Sequence, residues 1–148
     1  MTRKLTLTAF VLLVGCRSQP APDPLIGFWT ASNDHRGFDN TELLEYHQDG
    51  SFSARYRVDT GKKMTETTLI GSWRRLNGDQ VTQNYLDIKV ELTGFAPAEK
   101  DVAMARFRAN KDRVLAQANQ FPSVTIRIYG DSMTMSVGDR ATTYERDQ

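Results

Sequence analysis

The chain has 148 residues, of which 39% are hydrophobic and 25% charged, with a formal net charge of +1. That length suits one domain, and that balance describes a folded globule, not a disordered or membrane-embedded chain. Near-neutral charge argues against a dedicated nucleic-acid binder, and the single cysteine, Cys16, allows no internal disulfide.

At the N-terminus, Arg3 and Lys4 precede an apolar run from Leu5 to Val14 that is interrupted by Thr6 and Thr8. The run is far shorter than the roughly 20 apolar residues of a membrane-spanning helix. Basic residues, an apolar stretch and then a small residue are instead the three parts of a secretory signal peptide, here residues 1–15. Leu13-Val14-Gly15-Cys16 resembles the lipobox of bacterial lipoproteins. The resemblance implies cleavage before Cys16 and attachment of a diacylglyceryl group to its sulfur, the thiolate being the side-chain nucleophile that accepts lipid. Several acyl chains on one residue form a stable membrane anchor, whereas a single chain holds only marginally. Arg17 follows the cysteine, and in Gram-negative lipoproteins the lack of aspartate there implies release to the outer membrane, facing the periplasm. Residues 16–24, with prolines at 20, 22 and 24, read as a tether. At about 3.1 Å per residue in polyproline II, it would hold the domain roughly 20 Å from the lipid.

Residues 25–148 form the domain. Their pattern has period two in most places, and strands are expected near 25–31, 41–47, 51–58, 65–75, 80–93, 123–129, 132–137 and 140–146. In "LLEYHQDGSFSARYRV" a two-residue turn at Asp49-Gly50 would mix the faces. A three-residue loop of Gln48, Asp49 and Gly50 pairs Tyr46 with Phe52 and Leu44 with Ala54, so a G1 bulge with Gly50 left-handed is expected. "YLDIKVEL" places Leu86, Ile88, Val90 and Leu92 on the inward face and Tyr85, Asp87, Lys89 and Glu91 outside. Residues 97–121 break the period. They hold no internal Gly or Pro, start with Pro97 and Glu99, and stop before Pro122, so they read as a helix. Its apolar stripe is Phe107, Val114, Ala118 and Phe121, flanked by Met104 and Leu115. Lys111 falls inside the stripe, so either the helix covers only part of this length or the side chain snorkels there. The fold class expected is mainly β: an antiparallel up-and-down barrel of about eight strands with one helix inserted near 97–121. A barrel of that size is just wide enough for its own side chains or one small ligand.

Gly27-Phe28-Trp29 on the first strand, "YHQDGSF" in the second hairpin, Gly71-Ser72-Trp73 on the fourth strand and Tyr144-Glu145-Arg146 at the end resemble small bacterial lipocalin-like domains in kind and order. The resemblance implies that Trp29 closes the barrel floor and that Arg146 lays its guanidinium over that ring. Lipocalins proper place their helix after the barrel, whereas here it interrupts the strands. Trp29, Tyr46, Tyr56, Trp73 and Arg146 are the candidate ligand-binding residues. Tyr46, Tyr56, Leu86, Ile88, Met133 and Met135 are expected to line an apolar cavity reached near residues 32–40.

Catalytic and metal chemistry find little purchase. His35 and His47 lie near Asp34 and Asp39 but have neither HxH nor HExxH spacing, and no metal or cofactor is expected. Glu45 and His47 share a strand face without a recognisable nucleophile, and Ser51 and Ser53 read as ordinary strand residues. Lys100, Arg106, Arg108, Lys111 and Arg113 read as a solvated helix face, diluted by Asp101 and Asp112. The expectation is a non-enzymatic, lipid-anchored lipoprotein of the cell envelope that binds a small apolar ligand or an envelope component. The alternative is a periplasmic inhibitor or protein-interaction module with a filled barrel.

Overall fold

Short stretches that alternate apolar and polar side chains become strands, and the residues between them become tight turns. The computed structural model describes residues 21–35 and 38–147. The lipobox, Cys16 and the first part of the tether lie outside the described residues. The elements in chain order are β1 (Gly27–His35), β2 (Phe38–Tyr46), β3 (Ser51–Asp59), β4 (Met64–Asn77) and β5 (Gln80–Thr93). Helix α1 (Pro97–Ala118) follows, then β6 (Ser123–Tyr129), β7 (Ser132–Val137) and β8 (Arg140–Arg146). Each strand pairs antiparallel with the next, and β8 returns to β1, so the sheet is a closed eight-stranded barrel with one inserted helix. This is the fold class that the sequence pattern implies.

The β2–β3 hairpin shows how residue types set register. Tyr46 pairs with Phe52 and Leu44 with Ala54, as facial matching requires. Gly50 has φ +82°, a left-handed conformation that costs glycine little, and Asp49 accepts the Ser51 amide at 2.8 Å. Leu44, Tyr46, Phe52 and Ala54 all end up buried in one core with Trp29, Ile88, Ile126 and Met133.

One strand departs from its expected register. Ile70 pairs with Asp87 but Gly71 pairs with Tyr85, so Leu86 is the extra residue of a β-bulge. A bulge reverses which face the following residues occupy. Leu86, expected inside, is 64% exposed, whereas Tyr85, expected outside, sets its ring edge-on to Phe52 at 5.2 Å. Gly71 permits this approach. A Cβ there would lie 2.2 Å from the Asn84 carbonyl oxygen and 2.8 Å from the Phe52 ring.

The two seams of the barrel are zipped at one end only. β5 meets β6 through Gln80, Val81 and Thr82, and β1 meets β8 through Trp29 and Thr30. Above Thr82, α1 packs against β5 in place of a strand. The substitution is stitched by Asn119, whose side-chain amide accepts the Tyr85 N–H at 2.8 Å and donates to the Tyr85 carbonyl at 2.9 Å. The helix ends at Ala118, not at 121, and Phe121 is 61% exposed instead of completing the apolar stripe. Phe107, Val114 and Leu115 do pack on the core. Lys111 snorkels out of the stripe to pair with Asp87 at 2.6 Å. No helix among the described residues is long and apolar enough to cross a membrane.

At the zipped end the floor is sealed. Trp29 is fully buried and donates from Nε1 to the Leu25 carbonyl at 2.8 Å. Arg146 lies over its ring with the guanidinium carbon 4.2 Å from the centroid, and donates to the carbonyls of Ile26 and Pro24. Gly27 supplies the space: its φ is +133°, and a Cβ would meet an Arg146 nitrogen at 2.9 Å. Asp23 accepts two bonds from Arg75 at 2.6 Å and caps the Leu25 amide, so the last residues before 25 are fastened to the barrel.

Candidate functional site

The barrel opens at the end opposite Trp29, where the β7–β8 turn faces the tall wall made by β1–β5. There a cleft of about 780 Å³ runs into the interior. Its exposed lip is Phe121, Gly138, Asp139 and Arg140, and its inner walls include Met135, Val137 and Thr142. Its deepest lining is Glu42, Tyr56 and Tyr144. The volume lies within the range of small-molecule pockets.

Strand alternation places the polar group at the inner end. Leu44 and Tyr46 of β2 face the core, and Glu42, two residues earlier, faces the same way. Tyr56 enters from β3 opposite Glu42, and Tyr144 from β8 opposite Met133. Burial raises the Glu42 carboxyl above the ordinary glutamate value, and the neighbouring hydroxyls of Tyr144 and Tyr56 oppose that rise. Burial also pushes the phenols of Tyr46, Tyr56 and Tyr144 far above the usual tyrosine range, and Tyr85 up to about 12. The charge of Glu42 adds to the rise in all four, so one carboxyl sits amid four phenols.

Below this group the interior is polar but satisfied. Gln83, buried on β5, donates to the Tyr46 hydroxyl and accepts from the Tyr85 hydroxyl at 3.3 Å. Its amide also approaches the sulfur of Met135, a residue that lines the cleft, at 3.9 Å. Tyr144 differs. It is only 1% exposed, and its hydroxyl makes no hydrogen bond of regular geometry among the described residues, although it is near enough to influence Glu42.

The candidate residues from the sequence divide between floor and mouth. Trp29 and Arg146 form the sealed floor and are not among the residues that line the cleft. Tyr46 is buried in the core, stacked on Phe52 at 5.7 Å with the edge of Trp73 against it at 5.6 Å. Trp73 donates to the His47 carbonyl at 2.9 Å, which ties β4 to the β2–β3 hairpin. Of the five, Tyr56 alone lines the cleft. Met135 lines it as well, whereas Met133 and Ile88 are core and Leu86 is outside. Glu42 and Gln83 were not singled out from the sequence, and Tyr144 was noted only within the Tyr144-Glu145-Arg146 motif, not as a site residue. Glu42 carried a signal, since it shares the inward period of Leu44 and Tyr46, and a carboxylate on such a face is rarely without purpose.

Among the described residues that line the cleft there is no histidine, serine or cysteine. His47 lies outside the barrel, 3.1 Å from Glu45, and Ser51 is bonded to Asp49 at the turn. Three or more His, Cys, Asp or Glu side chains do not converge on a common point among the described residues. No protein-family model matches this chain, and no curated protein matches it either.

Proposed function

We propose that the protein is a lipid-anchored, non-enzymatic lipoprotein of the bacterial envelope, lipocalin-like in build, whose barrel takes up a small molecule with a substantial apolar part. The observation that carries the binding half is the cleft of about 780 Å³ that reaches the barrel interior between β2, β3, β7 and β8. Met135, Val137 and Phe121 offer apolar and adaptable surface, and methionine tolerates varied ligand shapes. The anchoring half rests on the Leu13-Val14-Gly15-Cys16 sequence and on the signal-like segment before it. The domain begins close behind that cysteine, with Asp23 and Pro24 held at the sealed floor. The mouth therefore faces away from the end at which the chain enters, open to the periplasm if the lipid sits in the outer membrane.

The test is a titration of the purified chain with an environment-sensitive apolar dye, beside a Val137→Trp variant that fills the cleft. Saturable binding at micromolar dye that the tryptophan abolishes is expected. Binding that the variant leaves intact, or no saturable binding at all, would remove the cleft from consideration and favour a protein-contact role for a filled barrel.

A further inference from the structure

An apolar cleft with a carboxyl at its inner end raises the question of which way a ligand points. Among the described residues that line the cleft, a fatty acid has one cationic partner, Arg140, and that residue is on the exposed lip. Pairing there would send the alkyl tail inward, against the Glu42 carboxyl and the Tyr144 hydroxyl beside it. Both polar groups would then be sealed under methylenes, which is costly for a neutral group and more so for a charged one. The reverse orientation has no such penalty. A head that donates hydrogen bonds would satisfy the carboxyl and the hydroxyl together, leaving the tail against Met135, Val137 and Phe121.

We propose that the cleft selects an amphiphile with a protonated amine head, bound head-inward, with Glu42 accepting its N–H groups and Tyr56 and Tyr144 completing the head-group site. This rests on the reading of the cleft as a ligand site and adds the chemistry of the ligand. Three features of the inner end favour the ammonium. The carboxyl there is an acceptor with an ionisable charge and has no basic side chain among the residues lining the inner wall. The Tyr144 hydroxyl lies beside the Glu42 carboxyl and keeps oxygen lone pairs able to accept an N–H. The aromatic faces of Tyr56 and Tyr144 attract cations through their quadrupoles. At the lip, Asp139 offsets Arg140, and both are exposed enough for salt to screen them, so the approach is not barred to a cation.

The experiment is calorimetric titration of the full chain, near neutral pH and below micelle formation, with decylamine, decanol and decanoate. Decylamine is expected to bind most tightly. Glu42→Gln should weaken it by about tenfold or more, the scale of a lost hydrogen bond to a charged group, while changing decanol much less. Tyr144→Phe, which removes only the hydroxyl, should weaken decylamine by a smaller factor. Decanoate binding as tightly as decylamine, or Glu42→Gln leaving decylamine unchanged, would overturn head-inward ammonium selection yet leave the cleft a ligand site. Failure of all three probes to bind would overturn the ligand reading itself, and this inference with it.

Discussion

Glu42 is the residue at which stability and the proposed binding oppose each other. Its carboxyl faces the interior beside Tyr56, Tyr85 and Tyr144, and burial raises its folded pKa above the unfolded value. A carboxyl shifted in that direction retains its proton more readily in the folded state. At pH below the unfolded value both states are protonated and nothing is lost. As pH rises through the folded pKa the buried group ionises, and stability falls. Glu42→Gln should therefore raise the urea midpoint at neutral pH, have little effect well below the unfolded pKa, and flatten the profile between. Equal midpoints for the two proteins at neutral pH would mean that the carboxyl is solvated. Asp23 has the opposite sign. Its bonds to Arg75 hold its pKa below the ordinary aspartate value, so the stability it contributes is present above that value and is lost as pH falls through the folded one.

Among the elements, α1 is the one whose position needs explanation, because no residue of it is buried. Its hold on the barrel comes from a half-buried stripe, the Lys111–Asp87 pair, the Lys63–Glu99 pair at 2.8 Å and the Asn119 stitch. Exposed ion pairs contribute little. The Asn119 amide is different, since it supplies both hydrogen bonds that a missing strand would have given Tyr85. Asn119→Ala should cost about 1–3 kcal/mol and speed hydrogen exchange at the Tyr85 amide before any change at Phe52 or Ile88. Exchange at Tyr85 identical to the parent protein would show that the helix docks without it. The bulge at Leu86 belongs to the same element-level account. It turns Tyr85 inward and Leu86 outward, and nothing in the period-two pattern of "YLDIKVEL" marks where the extra residue falls.

For the molecule as a whole, the sealed floor and the open mouth divide the labour. Trp29 fixes the floor through its indole bond to Leu25 and its stacking under Arg146. Trp29→Ala should destabilise the domain by about 3–5 kcal/mol, much of the stability of a domain this size. An unchanged denaturation midpoint would contradict the burial of that ring. The anchor is tested separately. Cys16→Ser should abolish incorporation of labelled fatty acid and move the protein from the membrane fraction to an uncut precursor or a soluble form. Undiminished labelling in the variant would place the lipid elsewhere or nowhere. Neither change touches the cleft, so ligand affinity should survive in the Cys16→Ser protein.

Local patterns were enough for the strands, the inserted helix and the left-handed Gly50, whereas the contact of Arg146 with Trp29 was expected only through the resemblance to lipocalin-like domains. Strands, helix and turn are set by neighbours in sequence or by a face that alternates without interruption, and such information is written in residue order. The cleft was not legible in the same way. Its inner end joins Glu42, Tyr56 and Tyr144 from three strands, and their convergence depends on barrel closure, on two seams zipped at one end only, and on the register shift at Leu86. A sequence read by itself determined the class of fold and which strand faces are apolar, because hydrophobic burial acts on every second residue of a strand. Only the tertiary structure decided where the barrel stays open and which polar group faces the opening, because those follow from stagger between strands distant in the chain.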